Sequence, residues 1–136
     1  MILQFNPDEK KLPCFEIPYS LPSLNEYLSA CNKHPQVGNS MKSKCTQDIC
    51  WCIRKGIRGF HTDKKVIIHY HIYEKNIKRD KDNVFAMVSK CTQDALQKMK
   101  VIDNDGWKNV ENFTHDFFVD KNNPRVIVWL EVIEDE

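Results

Sequence analysis

Lys65-Val66-Ile67-Ile68-His69-Tyr70-His71-Ile72-Tyr73-Glu74 is the stretch that decides the fold. Side chains in a strand alternate between faces. Val66, Ile68, Tyr70 and Ile72 fall on one face, and Ile67, His69, His71 and Tyr73 on the other. Both rows are rich in apolar and aromatic groups, which predicts a central strand over 65–74. A change of period follows. Val84, Val88, Cys91, Ala95 and Met99 recur at helical spacing, with Phe85 and Leu96 widening the stripe. This predicts a helix over 83–99, with Asn83, Lys90, Gln93, Asp94 and Gln97 on its polar side.

Upstream, Met41, Cys45, Ile49, Cys52 and Ile53 predict a helix over 40–55, with Gly56 placed to end it as the C-cap. Before it, Ser23 and Glu26 form a capping box for a short helix that His34-Pro35 and Gly38 should break. Phe15 and Ile17 alternate with Glu16 in a short strand over 12–19, limited by Pro13 and Pro18. Downstream, Asp103-Asn104-Asp105-Gly106 reads as a turn. Strands over 113–120 and 125–133, joined by Lys121-Asn122-Asn123-Pro124, read as a hairpin. The order predicts a single α+β domain over residues 1–136, a mixed β-sheet with helices packed against it.

The 136 residues carry 41% hydrophobic and 29% charged side chains and a formal net charge of +1. That composition excludes a disordered chain, a collagen-like repeat and a uniformly basic one. No apolar run reaches the ~20 residues of a membrane span. Asp8, Glu9, Lys10 and Lys11 close behind Met1 leave no apolar leader core, so the expected location is cytoplasmic. The six cysteines, Cys14, Cys31, Cys45, Cys50, Cys52 and Cys91, lack the paired short spacings of a structural zinc site and read as buried free thiols.

The near-zero total hides an asymmetry. Residues 41–81 hold 11 basic and 4 acidic side chains, whereas residues 82–136 hold 6 basic and 11 acidic. A basic middle can neutralise phosphates; a solvated helix face and loop is the plainer reading. It ends at Lys78-Arg79-Asp80-Lys81-Asp82-Asn83, where the strand gives way to the helix. In extended backbone Asp80 and Asp82 would point the same way. Two carboxylates so placed repel unless a cation joins them, and magnesium takes one or two carboxylates plus water and phosphate. The competing reading is helix capping, with Asp82 at the N-cap.

Arg79-Asp80-Lys81-Asp82-Asn83, a helix carrying Asp94-Ala95-Leu96, and then Asn104-Asp105 resemble the RusA family of Holliday junction resolvases. Leu21-Pro22-Ser23-Leu24-Asn25-Glu26-Tyr27 resembles that family's N-terminal P-S-x-N-x-Y stretch. The resemblance spans roughly residues 13–110. It implies a magnesium-dependent endonuclease (manganese substituting) that cuts four-way DNA junctions as a homodimer, in phage or prophage recombination, repair or packaging. It assigns Asp80, Asp82 and Asp105 to the metal. Asn104 replaces the first residue of the family's acidic pair, with Asp103 nearby. Ala86 stands where a family member has a helical lysine; Lys90, one turn on, is the catalytic candidate. Lys42, Lys44, Lys78, Arg79 and Lys81 are the expected DNA contacts.

A length argument bears on Asp105. A helix over 83–99 rises roughly 24 Å, and residues 100–105 return at most about 20 Å. Either the helix is shorter or kinked, the expected case, or Asp105 serves a neighbouring subunit. His69 and His71 are expected on a substrate-facing or partly exposed sheet face, Trp51 beside its helix and Trp107 in the core. Two other classes stay open: a non-catalytic DNA-binding module that keeps the fold, with the acids as caps, and an interaction protein with no nucleic-acid partner.

Overall fold

The computed structural model describes residues 5–9 and 11–134; Met1 and Lys10, read above for a leader, lie outside them. A short 3-10 turn at Pro7–Glu9 precedes β1 (Cys14–Ile17), α1 (Leu24–Lys33), α2 (Pro35–Ile57), β2 (Val66–Glu74), α3 (Lys81–Lys98), β3 (Val110–Val119) and β4 (Arg125–Val132). The four strands form one mixed sheet in the order β1-β4-β2-β3. β2 is central as expected, parallel to β3 on one side and antiparallel to β4 on the other. The α+β class holds. No helix among the described residues is long and apolar enough to cross a membrane.

The hairpin expectation fails. β3 and β4 are antiparallel but never touch edge to edge, because β2 lies between them. Residues 120–124 pass over the end of β2, where Asp120 N–H donates to the Glu74 carbonyl at 2.7 Å. Arg125 secures the passage: it bonds Asp120 Oδ2 and the Asn123 carbonyl, each at 2.9 Å, and lies 3.7 Å from the Tyr73 ring centre. Local turn chemistry cannot distinguish a hairpin from a short arch over an intervening strand.

The helices cover one sheet face. Val66, Ile68, Tyr70 and Ile72 of β2 join Phe15, Ile17, Val126, Val128 and Leu130 from their neighbours and Ile49, Ile53, Val84, Val88 and Leu96 from the helices in one buried cluster. α2 begins earlier than expected. His34 caps it, its Nδ1 accepting from Gln36 N–H at 3.1 Å, and Pro35 opens it. Pro35 thus ends α1 by starting α2. Gly38 does not break α2; a Cβ there would meet Cys31 Sγ at 2.2 Å, so it permits α1 and α2 to cross closely. Gly56 is no C-cap either, because α2 continues to Ile57. Its missing Cβ would stand 2.6 Å from Phe15 Cβ and 2.8 Å from the Cys14 carbonyl, so helix and β1 touch backbone to backbone.

The other sheet face corrects the histidine expectation. His69 and His71 are 4% and 3% exposed. Phe5 stacks on His69, ring centres 3.7 Å apart, and abuts His71 and Trp129. The His69 nitrogens sit 2.7 Å from Thr114 Oγ1 and 2.9 Å from Glu131 Oε1, and His71 Nε2 faces Asp116 Oδ2 at 3.6 Å. Trp107 also departs from expectation: it is 93% exposed, because the 103–109 turn aims it outward while Val101 and Ile102 take the core positions. Trp51 lies exposed along its helix under Arg54, in keeping with its expected place. All six cysteines are free, but against the expectation only Cys45 and Cys91 are buried; Cys14 is exposed.

Two outcomes follow from this packing. Gly56→Ala should lower stability in urea by about 1–3 kcal/mol, overpacking outweighing the helix propensity gained. Burial holds the His71 imidazole below its ordinary 6.5, against the opposing pull of Asp116 and of a hydrogen bond with the Phe5 backbone. The unfolded chain therefore binds this proton more readily. Stability should begin to fall as pH drops through 6.5 and decline until folded His71 protonates, by at most roughly 1.4 kcal/mol per pH unit. His71→Gln should flatten that slope in pH-dependent melts.

Candidate functional site

Asp80 and Asp82 flank the start of α3. Asp80 occupies the N-cap with extended backbone, and its carbonyl accepts from Val84 N–H at 3.1 Å. Its side chain makes no capping hydrogen bond. Asp82 sits in the first turn, so it is not the N-cap; its Oδ1 accepts from Asn83 N–H at 2.9 Å. Both acids lie where the helix dipole favours negative charge. Because Asp80 is extended while Asp82 is already helical, the extended-chain argument for a shared direction fails, and the two acids border different hollows. Asp80 borders a hollow with Glu74, Asn76 and Val119. Asp82 borders a groove between α3 and β3 with Phe85, Ala86 and His115. Lys81 and Phe117 line both.

Arg79 has a different task from the expected DNA contact. Its Nε and Nη2 donate to the two oxygens of Glu74, each at 2.9 Å. Its Nη1 donates to the Leu21 carbonyl at 2.8 Å and to Glu26 Oε1 at 3.0 Å. Glu26 in turn takes part in the capping box, its N–H donating to Ser23 Oγ at 3.3 Å and Ser23 Oγ to its Oε1 at 3.2 Å. One guanidinium thus ties the end of β2 to the start of α1. Its bonds to Glu74 raise the Arg79 pKa. Burial pushes the Glu26 carboxyl up, but Arg79 and Ser23 outweigh it and hold the group below its ordinary value. Glu26 therefore stabilises the fold above the ordinary carboxylate range and loses that contribution as pH falls through its lowered folded value.

Asp105 lies with Lys90. α3 is unbroken from Lys81 to Lys98, so the shorter helix expected above is absent. Lys90 stands eight residues beyond Asp82, about 12 Å along the axis. Its Nζ lies 3.2 Å from Asp94 Oδ1 and 3.9 Å from Asp105 Oδ2. Asp103 lines a separate groove of about 620 Å³ between α2 and α3, with Lys42, Asp94 and Lys98. Among the described residues, no three His, Cys, Asp or Glu side chains gather closely enough to hold a metal ion. The three-aspartate set therefore does not fit a metal site within one chain.

The basic middle is divided. Lys42 pairs with Asp94 at 3.7 Å and Lys44 with Asp48 at 3.0 Å on the helical side. Lys64 and Lys65 pair with Glu134 and Glu111 at the start of β2. Lys75, Lys78 and Lys81 stand beyond its other end, past a nine-residue strand roughly 27 Å long. All three are exposed, and none forms a salt bridge with a described residue. Of the expected DNA contacts, Lys78 and Lys81 therefore share the Asp80–Asp82 end, whereas Lys42 and Lys44 do not.

An aromatic array beside Asp82 was missed. Phe85 contacts Phe113, His115 and Tyr70 at centroid distances of 5.7, 4.4 and 5.2 Å, and His115 meets Phe117 at 5.9 Å. The alternation of Phe113, His115 and Phe117 along β3 was its available sequence signal.

Arg79→Lys keeps the charge but loses the fork. It should cost about 1–3 kcal/mol in denaturant melts, since Glu74 is left buried without its two-pronged partner.

No family model matches the chain, and no curated protein matches it in sequence.

Proposed function

We propose that this chain is a magnesium-dependent endonuclease for branched DNA, of the RusA type, acting as a homodimer. One observation carries the reading. The two segments most like that family, Leu21–Tyr27 and Arg79–Asn83, are distant in sequence but form one unit through Arg79, Glu74 and Glu26. This unit holds Asp80 and Asp82 at a helix N-terminus with Lys75, Lys78 and Lys81 nearby, an edge suited to phosphate backbone.

The separation of Asp105 favours the two-chain arrangement over the one-chain one. β3 is an edge strand of ten residues without Lys or Pro, the usual guards against strand addition. It runs from the 103–109 turn to the Asp80–Asp82 end. Antiparallel pairing of two β3 strands about a two-fold axis would set one chain's turn beside its partner's β2–α3 end. Asp105 would then complete a site it does not reach in its own chain. The same separation also favours a second reading, a non-catalytic DNA-binding module.

The deciding experiment incubates a four-way junction with the protein and Mg2+. Wild type should bind with steep salt dependence and cut, and Asp82→Asn should bind without cutting. Binding without cleavage by wild type would leave the non-catalytic module. Cleavage that survives Asp82→Asn would remove the proposed site, and an absence of salt-sensitive binding would remove both readings.

A further inference from the structure

We infer that the groove between the first turns of α3 and the β3 edge is a subsite for an unstacked nucleobase of the DNA branch point. The inference rests on the nuclease reading and adds the part of the substrate that this groove would take. The groove has a volume of about 630 Å³ and is lined by Lys81, Asp82, Phe85, Ala86, His115, Asp116 and Phe117. That is a common size for a small-ligand site, and its lining joins the rings of Phe85, His115 and Phe117 to Lys81 and two carboxylates. Within a single chain Phe85 and Phe117 are only half-buried and His115 is exposed, so the array presents ring surface beside the β3 edge. Phe113, at its far end, is 40% exposed.

The aromatic array selects the occupant, and Lys81 is the cation beside it in a lining that also carries Asp82 and Asp116. Lys81 Nζ lies 5.7 Å from the Phe117 ring centre, and both line the groove with Asp82. A nucleotide offers what this wall lacks: a flat apolar face for the rings and an anionic phosphate for the lysine. Stacking on aromatic side chains tolerates any base, since every base has a π-face. A continuous duplex keeps its bases stacked on one another, whereas a branch point can release one. The groove therefore supplies preference for branched over linear DNA without sequence readout.

The experiment uses the full chain and a four-way junction carrying 2-aminopurine at the branch point, alongside a linear duplex of equal length. Phe85→Leu keeps an apolar side chain without the ring, and His115→Ala changes an exposed position that poses little risk to folding. Wild type should change the 2-aminopurine emission on binding. Either variant should weaken junction affinity by roughly 5- to 100-fold, the range of one lost stacking contact. Their duplex affinity and its salt slope should stay at the wild-type level. Junction binding with unchanged emission, or unchanged branch preference in both variants, would overturn the subsite and leave the nuclease reading standing. Variants that alter only self-association would overturn it in favour of a protein contact. No binding to either DNA would remove the subsite together with the proposed function.

Discussion

The position of β2 constrains nearly everything else in this chain. Its backbone is paired along both edges, to β3 and to β4. One face supplies Ile68, Tyr70 and Ile72 to the helical core, and the other is closed over His69 and His71. A strand so enclosed fixes where its ends emerge. The N-terminal end meets the 103–109 turn, through the hydrogen bond from Val66 N–H to the Asn109 carbonyl. The C-terminal end delivers Glu74, and through it Arg79, to the start of α3. The candidate site is a consequence of where a buried strand must stop.

Much of the fold was legible because burial leaves a periodic trace. The central strand, the α3 stripe and the α1 capping box all appear in the structure near their expected places. What was not legible depends on tertiary neighbours. The two glycines in α2 resembled breakers, yet each marks a close approach, to Cys31 in one case and to β1 in the other. The supposed hairpin failed because β2 inserts between its two arms. His69 and His71 resembled solvent-facing polar groups, but Phe5, from a segment with no readable periodicity, covers them.

The site was legible in composition and less so in geometry. Asp80, Asp82 and the neighbouring lysines do lie at one end of the sheet. Their directions were misjudged because α3 starts two residues earlier than its apolar stripe suggests. Asp105 was expected to be hard to bring to Asp80 and Asp82, and it lies against Lys90 beyond an unbroken α3. Arg79 was the least predictable residue. A basic side chain next to two aspartates reads as a phosphate contact, and only the three-dimensional position of Glu74 and Glu26 reveals a cross-link.

The pairing of β1 with β4 has a kinetic implication. Cys14 lies opposite Trp129, and Ile17 opposite Val126, so this pairing closes a loop of about a hundred residues, among the costliest closures in entropy. The β2–α3–β3 unit, by contrast, is continuous in sequence and can organise first. During synthesis, Phe15 and Ile17 must wait, without their native strand partner, until the last strand has left the ribosome. Refolding should therefore be governed by late docking of the first strand, and a chaperone would find its binding stretch there.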